Sequence, residues 1–315
     1  MRTLDIFCGA GGSSAGARAA GAEIVAGIDS CPVATGTYAA NFPNAQVLTS
    51  RLEDVDLTAF RRDIGRVELL LASPECRNHT CARGAVPRDE ASRATALLTV
   101  DYARAFRPRW LVLENVIHMR PWSRYKELKR LMRDLGYQLE EHVLDSSHFG
   151  VPQARRRLFL VGDLERSPNL SFGRRNGRLP ARSVLDDRGE WKTSPLFSPR
   201  RAKATLARAG RAFEALGDLA SFLVVYYGSD GSGGWQDLDR PLRTITTVDR
   251  FGLVEHDGKM WTLRMLQVPE LRRAMGLGDD FKLPLGTRRD RIKLLGNGVC
   301  PPVMETVVRS LARGS

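Results

Sequence analysis

A length of 315 residues is enough for a main domain with a smaller one, and no stretch approaches the length of an apolar membrane span. Five cysteines (Cys8, Cys31, Cys76, Cys81, Cys300) lie at irregular spacings, and the odd count excludes a complete disulfide framework, which favours a reducing compartment. The formal charge of +12, from 48 basic and 36 acidic residues, suits a polyanionic partner, while five histidines argue against a multi-histidine metal site. The chain enters a strand-like run at once with no signal segment before it, so the expected location is cytoplasmic.

In chain order, residues 2–7 read as a short strand running into Cys8-Gly9-Ala10-Gly11-Gly12-Ser13-Ser14-Ala15-Gly16 and then a helix-like 17–20. Glycines at a strand-to-helix turn let the backbone approach a ligand, and the helix N-terminus presents unpaired N–H groups. The spacing matches neither the dinucleotide fingerprint nor a P-loop, so it points to a nucleoside-type cofactor or to a plain tight turn. A second strand ends at Asp29, an acid placed to accept hydrogen bonds from ribose hydroxyls, or else to cap the helix expected over residues 32–40. Near the end of a third strand, Asp54 could bond to an adenine amino group.

Leu69, Leu70, Leu71 and Ala72 read as a buried parallel strand that stops at Pro74 and delivers Cys76 into a polar loop carrying Arg77 and His79. A thiol beside cations at the C-terminal end of a strand can serve as a nucleophile; the alternative is a buried structural cysteine. Cys76, His79 and Cys81 lack a fourth partner, so no metal site is expected. Residues 88–106 carry helical spacing, and the apolar strand 110–113 ends in Glu114-Asn115-Val116. A carboxyl just past a buried strand can be held with a raised pKa, suited to donating a proton or a hydrogen bond; the plain alternative is a structural glutamate. After a helix over 120–135 and a strand over 137–144, Gln153, Arg155 and Arg157 alternate and share a face, with Arg156 pointing away. These guanidinium groups could hold a phosphate or orient a carboxylate such as Glu114, or form a solvated basic turn.

From residue 165 the texture changes: residues 165–211 hold twelve basic and four acidic side chains with little periodicity. Such density suits phosphate contacts in a small recognition domain. Compact patterning returns from about Trp261, with a helix over 266–275. A Gly296-Asn297-Gly298 turn then feeds a last helix over 303–312. The expected division is therefore 1–164, 165–260 and 261–315, the last part completing the first.

Taken in order, Asp5-Ile6-Phe7-Cys8-Gly9-Ala10-Gly11-Gly12, Asp29, Pro74-Glu75-Cys76, Glu114-Asn115-Val116, Gln153-Ala154-Arg155-Arg156-Arg157 and Gly296-Asn297-Gly298-Val299 resemble the C5-cytosine-specific DNA methyltransferases over nearly the whole chain. The resemblance implies an α/β, Rossmann-like S-adenosylmethionine-dependent methyltransferase sheet with a smaller target recognition domain, acting on double-stranded DNA. It places Phe7, Gly9, Gly11, Asp29, Asp54, Leu98, Asn297 and Val299 around S-adenosylmethionine. Cys76 matches the nucleophile, Glu114 the family glutamate, and Arg155 and Arg157 the paired arginines that steady a flipped base. Arg77, Arg83 and Arg88 would meet DNA phosphates from the loop beyond Cys76. A monomer is the simplest expectation, with a cognate restriction enzyme as a possible partner in function.

Two positions depart from the family pattern, which has proline before the cysteine and glutamine after it. Glu75 should raise the thiol pKa and Arg77 should lower it. Three rival readings remain: a transfer RNA cytosine-5 methyltransferase, an amino-group methyltransferase with a Ser-Pro-Pro-Tyr-like motif, and a catalytically silent DNA-binding relative. Ser73-Pro74 echoes the second, but Glu75-Cys76 supplies neither its proline nor its aromatic residue.

Overall fold

In the computed structural model, which describes residues 1–74, 90, 94–173, 177–217, 219–227 and 230–313, two sheets meet along a shared core. The expected nucleophile Cys76 and the expected DNA-contacting Arg77, Arg83 and Arg88, with Glu75, His79 and Cys81, lie outside the described residues.

The larger sheet is built from β1 (Arg2–Ile6), β2 (Glu23–Asp29), β3 (Gln46–Thr49), β4 (Leu69–Ala72), β5 (Trp110–Asn115), β6 (Gln138–Asp145) and β8 (Arg156–Asp163). Its order is β3-β2-β1-β4-β5-β8-β6, and only β8 runs against the rest. The central strands are apolar on both sides because both faces are covered. Leu69 and Leu71 join the core on one face, and Leu70 and Ala72 join the core on the other. Strand order reverses between β1 and β4, and at that switch point an open α/β sheet offers a crevice at its carboxyl ends. This is the expected Rossmann-like α/β arrangement.

The first helix begins earlier than its alanines suggest, spanning Gly12–Ala19 with Gly11 in the left-handed region at its N-cap (φ 95°). It packs on the closing helix, Pro301–Arg313, so the two ends of the chain form one layer. A Cβ at Gly12 would stand 2.3 Å from the Val299 carbonyl oxygen, so only glycine allows this seam. The expected Gly296-Asn297-Gly298 turn is not a turn: helix Arg288–Asn297 runs through Gly296 and Asn297, and Gly298 is its C-cap. Gly296 is there for close packing, since its Cβ would meet the Thr246 carbonyl oxygen at 2.3 Å.

The second sheet has the order β11-β10-β13-β14-β9, from β9 (Ser194–Pro195), β10 (Phe222–Val225), β11 (Trp235–Asp237), β13 (Phe251–His256) and β14 (Trp261–Met265). It therefore continues to Met265: residue 260 falls in the β13–β14 hairpin, inside the sheet and not at its edge. One face of β10 packs Phe222 and Val224 under helix Lys203–Leu216. The other turns Leu223 and Val225 into the main core. A short parallel pair, β7 (Gln153–Ala154) with β12 (Leu242–Arg243), joins the two bodies. Among the described residues no helix is long and apolar enough to cross a membrane.

Candidate active site

At the switch point lies a cleft of about 850 Å³, walled by the ends of β1, β2, β4 and β5 and by the helix Arg288–Asn297. Phe7, Gly9, Asp29, Glu114, Arg155, Arg157, Asn297 and Val299 all line it, so eight of the expected residues converge there. Gly11 is set behind the wall as the helix N-cap, with its Cβ position filled by the Phe42 and Tyr38 rings. Leu98 and Asp54 are not among the cleft-lining residues. On the short turn Leu52–Asp54 both acids are exposed, and the cleft is met by Leu52 and Glu53 but not by Asp54; Thr95 stands in the wall near where Leu98 was expected.

Asp29 is fixed by its own strand tip. Its two carboxylate oxygens accept the Gly9 N–H at 3.0 Å and the Cys31 N–H at 2.9 Å. Burial raises its pKa, and these backbone N–H groups and Lys293 work in the opposite direction. Lys293 was not foreseen. Asp290, Lys293, Leu294 and Asn297 share one helix face against the cleft, a spacing of three and four that the sequence does contain. Phe7 sits in the left-handed region (φ 55°), turning the chain from β1 into the glycine loop.

Glu114 is the last but one residue of β5 and is 5% exposed. Burial raises its pKa, opposed by Arg157 and then Arg155. The Arg157 Nε stands 3.2 Å from Glu114 Oε1, an ion-pair distance, yet the pair makes no hydrogen bond and that oxygen has no hydrogen-bond partner among the described residues. A buried acceptor without a donor carries a desolvation cost that a ligand N–H or a proton would remove. The expected alternation in 153–157 holds: Gln153 and Arg155 are buried, Arg157 is half-buried, and Arg156 is exposed.

The two arginines differ in what they do. Arg155 is a latch, donating to the carbonyls of Ile245, Gly296 and Gly298 at 3.0, 2.8 and 2.8 Å. Arg157 donates to the Arg156 carbonyl and otherwise faces Glu114 across the cleft. Gln153 ties the same joint, with its amide nitrogen donating to the Ala274 carbonyl and its oxygen accepting the Ile245 N–H. Asn115, next to Glu114, donates to the Pro74 carbonyl at 3.1 Å, so the tips of β4 and β5 are held together two residues before Cys76.

The type II methyltransferase M.HgiDI of Herpetosiphon aurantiacus is 35% identical over 170 residues, covering 51% of this chain and 52% of that protein. The tRNA (cytosine(38)-C(5))-methyltransferase of Homo sapiens is 28% identical over 172 residues, covering 53% and 44%. These matches span about half the length of those relatives. The S. pombe Dnmt2 methyltransferase shares the fold, with a TM-score of 0.71 at 18% identity, covering 100% of this chain and 99% of that one. The family model of the C-5 cytosine-specific DNA methylases matches residues 1–313, and the chain belongs to that family.

Proposed function

We propose that this protein transfers a methyl group from S-adenosylmethionine to carbon 5 of cytosine in double-stranded DNA, with Cys76 as nucleophile. The observation that carries the reading is the pairing, in one cleft, of a nucleoside-type pocket with the buried Glu114–Arg157 couple. Family membership supplies the cysteine its role.

The cofactor fits the residues present. Asp29 turns its carboxylate toward the cleft while two backbone N–H groups hold it, and a Cβ at Gly9 would meet nothing within 4 Å, so the loop leaves room beside it. Asp29 would take the ribose hydroxyls, Glu53 and Phe7 the adenine end, and Asn297 and Val299 the opposite wall. Bound there, S-adenosylmethionine supplies an electrophilic methyl group.

Carbon 5 of cytosine is too weak a nucleophile by itself. The Cys76 thiolate adds to carbon 6, a bond that converts the ring to an enamine-like form whose electron pair lies at carbon 5. Glu114, whose pKa is raised by burial against the pull of Arg157 and Arg155, would in its protonated form donate to ring nitrogen 3, where the charge of this adduct collects. Arg157 steadies the O2 side and Arg155 keeps the joint behind it rigid. Once carbon 5 carries the methyl group, its proton leaves to a base or water. The electron pair then reforms the 5,6 double bond and expels the Cys76 thiolate.

The base must leave the duplex to reach this cleft. Arg77, Arg83 and Arg88 would then meet phosphates around the opened site, and residues 165–260 with their basic excess would carry target recognition. The names of the type II methyltransferase relatives support a role beside a cognate restriction enzyme, and a monomer acting in the cytoplasm is the simplest form of this assignment.

The human relative named for tRNA supports transfer RNA as a second substrate reading. Both are tested by supplying tritiated S-adenosylmethionine with a mixed-sequence duplex or with transfer RNA, then identifying the labelled nucleoside. Label in 5-methylcytosine from the duplex, lost in Cys76→Ala, is the expected result. Label confined to RNA, or full activity in Cys76→Ala, would overturn the substrate or the nucleophile respectively.

A further inference from the structure

The joint between the two sheets carries a group of arginines that the reaction above does not use. Arg243 ends β12 and stands opposite Ala154 in the β12–β7 pair, one residue from Arg155. Two residues further on, the Ile245 carbonyl accepts from Arg155 itself. Arg243 is therefore fixed in register to the catalytic cleft and not carried on a remote loop.

Its surroundings are electrostatically odd. Among the described residues the Arg243 side chain meets one polar atom, the Ser232 carbonyl at 3.4 Å, and no carboxylate. Arg240 and Arg250 both lie close enough to act on its charge or be acted on by it. Burial lowers the pKa of Arg243 and of Arg250, and each feels another guanidinium as a second, smaller push downward: Arg240 on Arg243, and Arg243 on Arg250. Arg250 has backbone work to do, donating to the Tyr226 carbonyl at 3.2 Å and approaching that of Thr244 at 3.5 Å. Arg240 is exposed, and none of its side-chain atoms has a partner among the described residues. A half-buried guanidinium beside like charges, with no carboxylate against it among the described residues, costs free energy, and a structure keeps such a group at low cost when an anion completes it.

We propose that Arg243, with Arg240 beside it, seats a backbone phosphodiester of the nucleic acid next to the catalytic arginines, at the joint between the two sheets. This rests on the function proposed above and adds the place where the polymer is gripped. A guanidinium fork bonds two phosphate oxygens at once, and the ladder to Ala154 then fixes that phosphate relative to Arg155 and Arg157. Arg243 is a positioning residue, since it need not touch the reacting base.

Salt dependence of binding separates a phosphate contact from a structural role. Anisotropy titrations of a labelled mixed-sequence duplex would be made at several salt concentrations with wild type, Arg243→Gln, Arg243→Lys, Arg240→Gln and Arg133→Gln. Arg133 is exposed at the end of helix Tyr125–Asp134 and does not line the cleft. Losing one phosphate contact lowers the slope of log Kd against log salt by about 0.9. That loss is expected in Arg243→Gln and Arg240→Gln, with the slope kept in Arg243→Lys and Arg133→Gln. Unchanged adenosylhomocysteine affinity in each variant reports that the fold is intact, and Arg240→Gln, altering an exposed residue, serves if Arg243→Gln does not fold. Wild-type slopes in both glutamine variants of an enzyme that still methylates would overturn the phosphate seat alone. A wild type that neither binds nucleic acid nor transfers methyl would overturn the function with it. The same titration on transfer RNA tells which polymer supplies the phosphate.

Discussion

Asn115 and Pro74 are tied together across the tips of two neighbouring strands, the Asn115 amide donating to the Pro74 carbonyl while its own oxygen accepts the Val116 N–H at 2.8 Å. Asn115 is 1% exposed, so both bonds are shielded from water and neither has a ready substitute. The bond sets where β4 ends relative to Glu114, and hence where the chain leaves for Cys76. Asn115→Asp keeps the acceptor for Val116 but turns a carboxylate on the Pro74 carbonyl. A misplacement of about 1 Å in a reacting group costs roughly a hundredfold in rate. Single-turnover methyl transfer by Asn115→Asp should fall by about that factor, while adenosylhomocysteine affinity by calorimetry stays near wild type. Equal loss of both would mean that Asn115 holds up the fold and not the catalytic tip.

Glu53, not Asp54, is the acid that the cleft sees. Arg51 donates to Glu53 at 2.8 Å, and the backbone N–H of Glu53 together with this arginine holds its pKa below the usual carboxylate range. Glu53 thus favours its charged form and meets the cleft, where an amino group of the proposed cofactor would be its partner. Removing one such acceptor costs about 1.4 kcal/mol, roughly tenfold in affinity. Glu53→Ala should weaken adenosylhomocysteine binding by about that factor and Asp54→Ala should leave it unchanged. The reverse ranking in a calorimetric titration would restore Asp54 to the site.

What the chain discloses by itself divides along a physical line. Asp29, Glu114 and the Gln153, Arg155 and Arg157 face were legible because a buried strand ends visibly and period-two alternation assigns faces without any tertiary knowledge. Glu53 against Asp54 was not, since two adjacent acids on a short 3-10 turn are told apart only by the direction the turn takes. Gly296 and Asn297 read as a turn because glycine usually marks one. Here the glycine answers a close approach by Thr246, fifty residues earlier in the chain, which no local pattern encodes. The extent of the second sheet was hidden for a similar reason: β9 and β12 are two residues long, and their strand character comes wholly from distant partners.

Asp5 predicts how stability should vary with pH. It is fully buried in β1, accepts from Ser14 Oγ at 2.7 Å, and its second oxygen has no hydrogen-bond partner among the described residues; Tyr38, Cys8 and Asp29 lie near it besides. Burial raises its pKa from 3.8 to about 7, with Ser14 opposing and Asp29 assisting. For an acid raised in the folded state, the stabilising contribution is complete below the unfolded pKa, near 4, and is lost as pH rises through about 7. At about 1.4 kcal/mol per unit, ionising it costs on the order of a few kcal/mol. Asp5→Asn cannot ionise, so its melting temperature should fall less than that of wild type between pH 5 and pH 8, whatever constant offset the new amide introduces. Parallel pH profiles for the two proteins would show that Asp5 is ionised throughout or titrates without consequence.

Gly296 and Gly210 make opposite predictions for the same substitution. A Cβ at Gly296 would lie 2.3 Å from the Thr246 carbonyl oxygen and 2.4 Å from its carbon, both backbone atoms that cannot rotate aside. The Ile245 carbonyl just before them is held by Arg155, whose other nitrogen bonds the Gly296 and Gly298 carbonyls, so relief at Gly296 must loosen the latch behind Arg157. Overpacking of this kind costs about 1–3 kcal/mol. Gly210 lies inside helix Lys203–Leu216 with nothing within 4 Å of its Cβ position, and glycine there costs roughly 0.5–1 kcal/mol relative to alanine. Gly296→Ala should therefore lower the melting temperature and the methyl-transfer rate together, whereas Gly210→Ala should raise the melting temperature and leave the rate alone. A Gly296→Ala protein with wild-type stability and rate would mean that the Thr246 segment moves freely, and that the joint through Arg155 does not govern the cleft.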